Sequence, residues 1–128
     1  MTTAALRKPP APTEFAEHVM VAHYLRARRM LFTHPGNGEK RSVITGARLR
    51  RMGLSPGCPD FLCFTPPPGK AFVGAALEMK RRTGTKSSIT VEQRDWLDAL
   101  KTQGWATHVA FGADDAIAWL ESLYGKTP

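Results

Sequence analysis

With 128 residues, of which 42% are hydrophobic, the chain can fill one core but not two, so a single domain is expected. It carries 18 Lys and Arg against 11 Asp and Glu, a net charge of +7 and a pI near 9.9, which favours a polyanionic partner. No run approaches the roughly 18 apolar residues of a membrane span, and the opening MTTAALRKPPAPT lacks the apolar centre of a secretory signal, so a soluble cytoplasmic protein is expected.

Residues 1–12, with Pro9, Pro10 and Pro12, read as a flexible arm ahead of a domain spanning 13–128. Residues 13–28 have a helical pattern with Thr13 as N-cap. Phe15, Val19 and Ala22 recur at helical spacing, and Glu14, His18, Val21 and Leu25 form the neighbouring stripe. Residues 29–33 are a short candidate strand, and HPGNGEKR after them is a loop. Residues 42–52 read as a second helix with Arg48 and Arg51 on one side. Gly53 and Gly57 then release the chain into its next strand.

A hairpin follows: a strand at 61–65, PPPG as the turn, and a returning strand at 71–80. Thr90 starts a helix in which Gln93, Trp96, Leu97 and Leu100 follow the i, i+3, i+4, i+7 rule up to Gly104. Residues 105–111 read as a buried strand. The last helix starts at Asp114 and Asp115, which suit the positive end of its dipole, and turns Ile117, Leu120 and Tyr124 inward.

The chemistry-bearing residues sit on the hairpin. Pro59-Asp60 opens its first strand and Glu78-Met79-Lys80 ends its second, with 17 residues between Asp60 and Glu78. Side chains alternate across a strand, so Glu78 and Lys80 share one face while Leu77 and Met79 point into the core. Antiparallel pairing sets the start of one strand beside the end of the next, so Asp60 is expected opposite Glu78. Two adjacent carboxylates repel unless a cation lies between them, and Mg²⁺ or Mn²⁺ is commonly held by one or two carboxylates with oxygens of water and phosphate. Such an ion stabilises charge developing during phosphodiester hydrolysis, and a neighbouring lysine can do the same. Taken singly, Asp60 after a proline is a common turn residue, and Glu-x-Lys on a strand is often a solvated face. The combination at hairpin spacing in a basic domain is the informative feature. Cys58 and Cys63, the only two cysteines, lack the second pair that a structural zinc needs and are expected as free thiols packed in a strand. His23 and His108 have no partner at ligand spacing.

At these residues the chain resembles the VRR-NUC (virus-type replication-repair nuclease) branch of the PD-(D/E)XK superfamily, in its small stand-alone phage and bacterial form. The resemblance covers Glu14, HPGNGEKR at 34–41, GLSPGCPDFLCF at 53–64, ALEMKRRTG at 76–84 and TVEQRDWLDALKTQGW at 90–105, in that order. It implies an α/β, restriction-endonuclease-like fold with an α-β-β-β-α-β core and a mixed central sheet flanked by helices. It further implies that Asp60, Glu78 and the Met79 backbone carbonyl ligate the metal, that Lys80 is the catalytic lysine, and that Gln93 lies near the active site. Glu14 matches the acidic position that extends the metal shell, with Glu17 a nearby competitor. His18 departs from the glutamine that relatives often carry one turn after Glu14; contact with phosphate or a metal-bound water is one role open to it, and packing among apolar neighbours is the commoner one. Gln93 has a second reading as the capping-box partner of Thr90, and Glu14 a second reading as a complement to its own helix dipole.

The resemblance places Asn37, Lys40 and Arg41 near the substrate, where such side chains hold phosphates. Arg48, Arg51, Arg81, Arg82 and Lys86 add positive charge suited to salt-sensitive, sequence-independent binding; dispersed solubilising charge is the alternative. The implied activity is a Mg²⁺- or Mn²⁺-dependent endonuclease for branched DNA in repair or recombination. A two-fold symmetric four-way junction suits a homodimer. A catalytically silent nucleic-acid-binding module and a nuclease subunit targeted by a partner protein are the competing readings.

Overall fold

The computed structural model describes residues 10–36 and 43–126. Helix α1 (Glu14–Ala27) begins where expected, with the Ala16 N–H donating to Thr13 Oγ1 at 3.0 Å. Its core face is Val21 and Leu25 together with Glu17. Of the companion stripe Phe15 and Val19 face outward, Phe15 being 79% exposed, and Ala22 packs at the edge of the core. Both stripes are apolar enough to serve, and α1 is turned by what it packs against, so tertiary contacts overrule the local pattern.

Strand β1 (Phe32–Thr33) is shorter than expected. Helix α2 (Val43–Arg51) buries none of its residues. Strand β2 (Phe61–Cys63) is followed by β3, which begins at Ala75 rather than at 71 (Ala75–Lys80). After a short 3-10 turn (Lys86–Ser88) come α3 (Val91–Thr102), β4 (Ala106–Phe111) and α4 (Ala113–Tyr124). In α3, Gln93, Trp96, Leu97 and Leu100 are the half-buried positions, as their spacing requires.

The four strands form one sheet in the order β1-β2-β3-β4. β1 and β3 run antiparallel to β2, and β4 runs parallel to β3. The sheet is mixed and flanked by helices. The β3–β4 connection contains α3, the crossover that parallel neighbours require. Val21, Leu25, Phe61, Cys63, Leu77, Met79, Ala110 and Leu120 belong to the core, with β3 buried along most of its length. Small residues at Ala75, Ala76, Ala106 and Ala110 keep the central pair of strands thin. Cys63 is buried in β2, whereas Cys58 lies half-buried in the preceding loop rather than in a strand; neither is in a disulfide.

Glu17 ties two elements together. Its side chain is buried, at 4% exposure, yet Oε1 accepts from Arg82 Nη2 at 2.7 Å and from the Ala113 N–H at 3.1 Å. Gly112, with φ 96°, has no side chain to cap α4, so the carboxylate of another helix takes a donor at its N-terminus. At the other end of α4, Arg28 donates to the carbonyls of Tyr124 and Gly125. Among the described residues no helix is long and apolar enough to cross a membrane.

Candidate active site

β2 begins at Phe61, and Phe61 pairs with Leu77, so the register carried one residue back sets Asp60 opposite Glu78. Ahead of the start of β2 the Met79 N–H is met by a side chain: Asp60 Oδ2 accepts from it at 2.7 Å. That bond holds the Asp60 carboxylate over the end of β3. The 53–60 loop is held down by Gly57, with φ 92°: a Cβ there would lie 2.5 Å from the Glu92 backbone. Only glycine permits this approach, which sets the loop against the start of α3.

Glu78 is buried, at 4% exposure. Its Oε1 accepts from Gln93 Nε2 at 3.0 Å, while its Oε2 is buried without a hydrogen-bond donor. Burial, and then the adjacent Asp60, push the Glu78 carboxyl up to about 8, against the opposing pull of Lys80. Lys80 Nζ donates to Gln93 Oε1 at 2.7 Å and to the Ser88 carbonyl at 2.9 Å. Gln93 therefore bridges the ammonium and the carboxylate. It also completes a capping box: Gln93 Oε1 accepts from the Thr90 N–H and the Gln93 N–H donates to Thr90 Oγ1. The two roles expected for Gln93 coexist in one rotamer.

Asp60, Glu78, Thr90 and Gln93 line a cleft of about 170 Å³. Cys58 lines it as well, and burial together with the charges of Glu78 and Asp60 pushes its thiol up and keeps it neutral. The donor set fits a hard divalent cation: two facing carboxylates, one of them with an oxygen that no proton donor satisfies.

The remaining residues expected at the site divide. Glu14 is exposed, its side chain at 73%, and lines a cleft of about 520 Å³ that also reaches Asp60. Glu17 is committed to Arg82 and to α4, which leaves Glu14 as the α1 carboxylate facing the Asp60 side. Arg82 also donates to Asp114 at 2.8 Å, so its guanidinium is occupied by two carboxylates. Arg48, Arg51, Arg81 and Lys86 are exposed and form no ion pair among the described residues. Asn37, Lys40 and Arg41 lie outside the described residues. His108, without a partner at ligand spacing, donates from Nε2 to the Asp115 carboxylate at 3.0 Å and stacks on Trp119. No spacing rule pointed to the approach of His18 and His34 to Asp60, in which one donor atom of each lies within 4.8 Å of the others.

The VRR-NUC domain profile matches residues 15–114. The chain belongs to the VRR-NUC family. A solved structure described as a VRR_NUC domain protein superposes with a TM-score of 0.69 at 21% identity, covering 90% of each chain, and supports the fold. No curated protein matches the sequence. VRR-NUC membership makes this a nuclease-type domain, and it agrees with the restriction-endonuclease-like mixed sheet. The match begins after Glu14 and includes Asp60, Glu78, Lys80 and Gln93.

Proposed function

We propose that this VRR-NUC chain is a Mg²⁺- or Mn²⁺-dependent endonuclease that hydrolyses phosphodiester bonds in structured DNA, with branched junctions as the preferred class. The observation that carries the reading is the pair of carboxylates at the β2–β3 end, with Glu78 Oε2 buried and without a donor. A buried polar atom left unmatched costs about 1–3 kcal/mol, and a cation between the two acids removes that cost.

Asp60, Glu78 and the Met79 backbone carbonyl would hold the ion, with Glu14 nearest to extend the set from α1. When bound, the ion supplies charge stabilisation and polarises the scissile phosphate. The other residues act directly. Lys80 is aimed by Gln93 and the Ser88 carbonyl, so its ammonium is held in place to stabilise negative charge on the phosphate. Gln93 also fixes the Glu78 carboxylate, which keeps cation site and ammonium in one geometry. The exposed Arg48, Arg51, Arg81 and Lys86 supply phosphate contacts that do not read sequence, and Asn37, Lys40 and Arg41 are proposed to join them. A homodimer would present two such sites to a two-fold symmetric junction.

Labelled linear duplex, single strand, flap and four-way junction, incubated with purified protein and Mg²⁺ or Mn²⁺, test this directly. Cutting of the junction by wild type, and its absence in Asp60→Asn, are expected. Binding without cutting of any substrate would favour a silent nucleic-acid-binding module, and cutting that appears only with an added protein would favour a targeted subunit.

A further inference from the structure

In the cleft that Asp60 lines together with α1, His18 from that helix and His34 just after β1 bring two imidazoles together. His18 and His34 meet edge to face, with ring centroids 5.6 Å apart, and both rest against Phe61. One donor atom from each of His18, His34 and Asp60 lies within 4.8 Å of the others. In a tetrahedral site with bonds of roughly 2.0–2.2 Å, ligand atoms stand about 3.4 Å apart, so closure needs only side-chain adjustment.

Two details show a prepared donor set rather than a chance cluster. His18 Nε2 is buried and has no hydrogen-bond partner, a state that costs free energy unless something accepts its lone pair or its proton. His34 Nδ1 lies 2.6 Å from the Asp60 backbone carbonyl. A carbonyl can only accept, so Nδ1 carries the hydrogen, and in the neutral ring Nε2 is the nitrogen that offers a lone pair. Ligating histidines are usually oriented in this way, one nitrogen donating to a carbonyl and the other on the metal. Glu14 Oε1, 4.0 Å from His18 Nε2, stands at the edge of the group as a further oxygen donor.

We propose that His18, His34 and Asp60 form a second cation site, distinct in chemistry from the oxygen-only set of Asp60, Glu78 and Met79, which takes a borderline divalent ion such as Co²⁺, Ni²⁺ or Zn²⁺. Imidazole nitrogen favours these ions, whereas Mg²⁺ prefers oxygen and keeps its water. Asp60 is shared, so the two sites meet at one carboxylate.

The test uses the full chain without DNA. Co²⁺ and Mg²⁺ binding is measured by calorimetric titration, with the visible absorption of bound Co²⁺ as a second readout, for wild type, His18→Gln, His34→Ala and Glu78→Gln. Wild type is expected to bind Co²⁺ more tightly than Mg²⁺. His18→Gln and His34→Ala should each lose at least the roughly tenfold affinity that disturbing a metal's surroundings costs, and lose the imidazole-dependent absorption, with Mg²⁺ affinity kept. His34 is exposed, so its variant keeps the test valid should His18→Gln fail to fold. Co²⁺ binding unchanged in both histidine variants overturns the inference, as does an equal loss of Mg²⁺ in them. Glu78→Gln separates the two readings: it should weaken Mg²⁺ and spare Co²⁺. Unweakened Mg²⁺ there would undercut the nuclease assignment while leaving the imidazole result standing.

Discussion

The Gln93 side-chain amide donates to the Glu78 carboxylate at 3.0 Å, while the oxygen of the same amide accepts from Lys80. The acid and the ammonium are thus held through a residue that also caps its own helix. This double duty makes the two roles separable by mutation. Thr90→Ala removes half of the capping box and leaves the Lys80 and Glu78 contacts, so it should cost about 1 kcal/mol of stability with cleavage retained. Gln93→Ala should lose a similar amount of stability and also lower the cleavage rate by about 10²-fold, as loss of a positioned charge-stabilising group does. Thermal melts alongside single-turnover rates check both. Equal rate losses in the two variants would assign Gln93 to capping alone.

Glu78 makes the metal-free protein sensitive to pH. Its folded pKa of about 8 lies above the ordinary 4.5. A carboxyl whose pKa is raised in the folded state contributes stability that is present below the unfolded value and is lost as pH rises through the folded one. Without metal, the melting temperature of wild type should therefore fall, relative to Glu78→Gln, between pH 4.5 and about 8. Because the cation displaces that proton, Mg²⁺ affinity should rise up to about tenfold per pH unit across the upper part of this range. Parallel pH profiles for the two proteins would exclude the raised pKa.

The fate of α1's two acids is open to direct comparison. Glu17→Ala removes the carboxylate that meets Ala113 at the start of α4, and should cost about 1–2 kcal/mol while leaving metal affinity unchanged. Glu14→Ala should leave stability unchanged and weaken the divalent ion. Chemical denaturation and metal titration on both variants decide which acid serves which purpose.

How legible this arrangement was depended on how local its cause is. The α3 stripe and the Thr13 and Thr90 caps follow from spacing within a helix, and they appear as read. The Asp60–Glu78 register was legible because a hairpin joins strands close in sequence. The buried face of α1 was not, since Phe15, Val19 and Val21, Leu25 offer two apolar stripes and only the partner elements choose between them. Nor was the Glu17–Arg82 pair, whose members are 65 residues apart, or the meeting of His18 with His34, which depends on where the end of β1 lies against α1.

The exposed cations give a graded expectation. Replacing Arg48, Arg51, Arg81 or Lys86 singly by Ala should weaken binding to all DNA sequences alike and reduce the slope of log affinity against log salt by about 1 for each phosphate left without its cation. Arg82→Ala should instead destabilise the fold, because its guanidinium joins Glu17 and Asp114. A fluorescence anisotropy series over several salt concentrations reads the slopes.

The sharpest measurement follows the single-turnover cutting rate of a four-way junction as Mn²⁺ is titrated, for wild type and Glu78→Gln matched in junction affinity. A saturable dependence on Mn²⁺ in wild type, with the variant slower by about 10²-fold or more at every concentration, is the expected result. Cutting that proceeds equally well in a chelator, or a variant that keeps the wild-type rate, would contradict hydrolysis by this carboxylate pair.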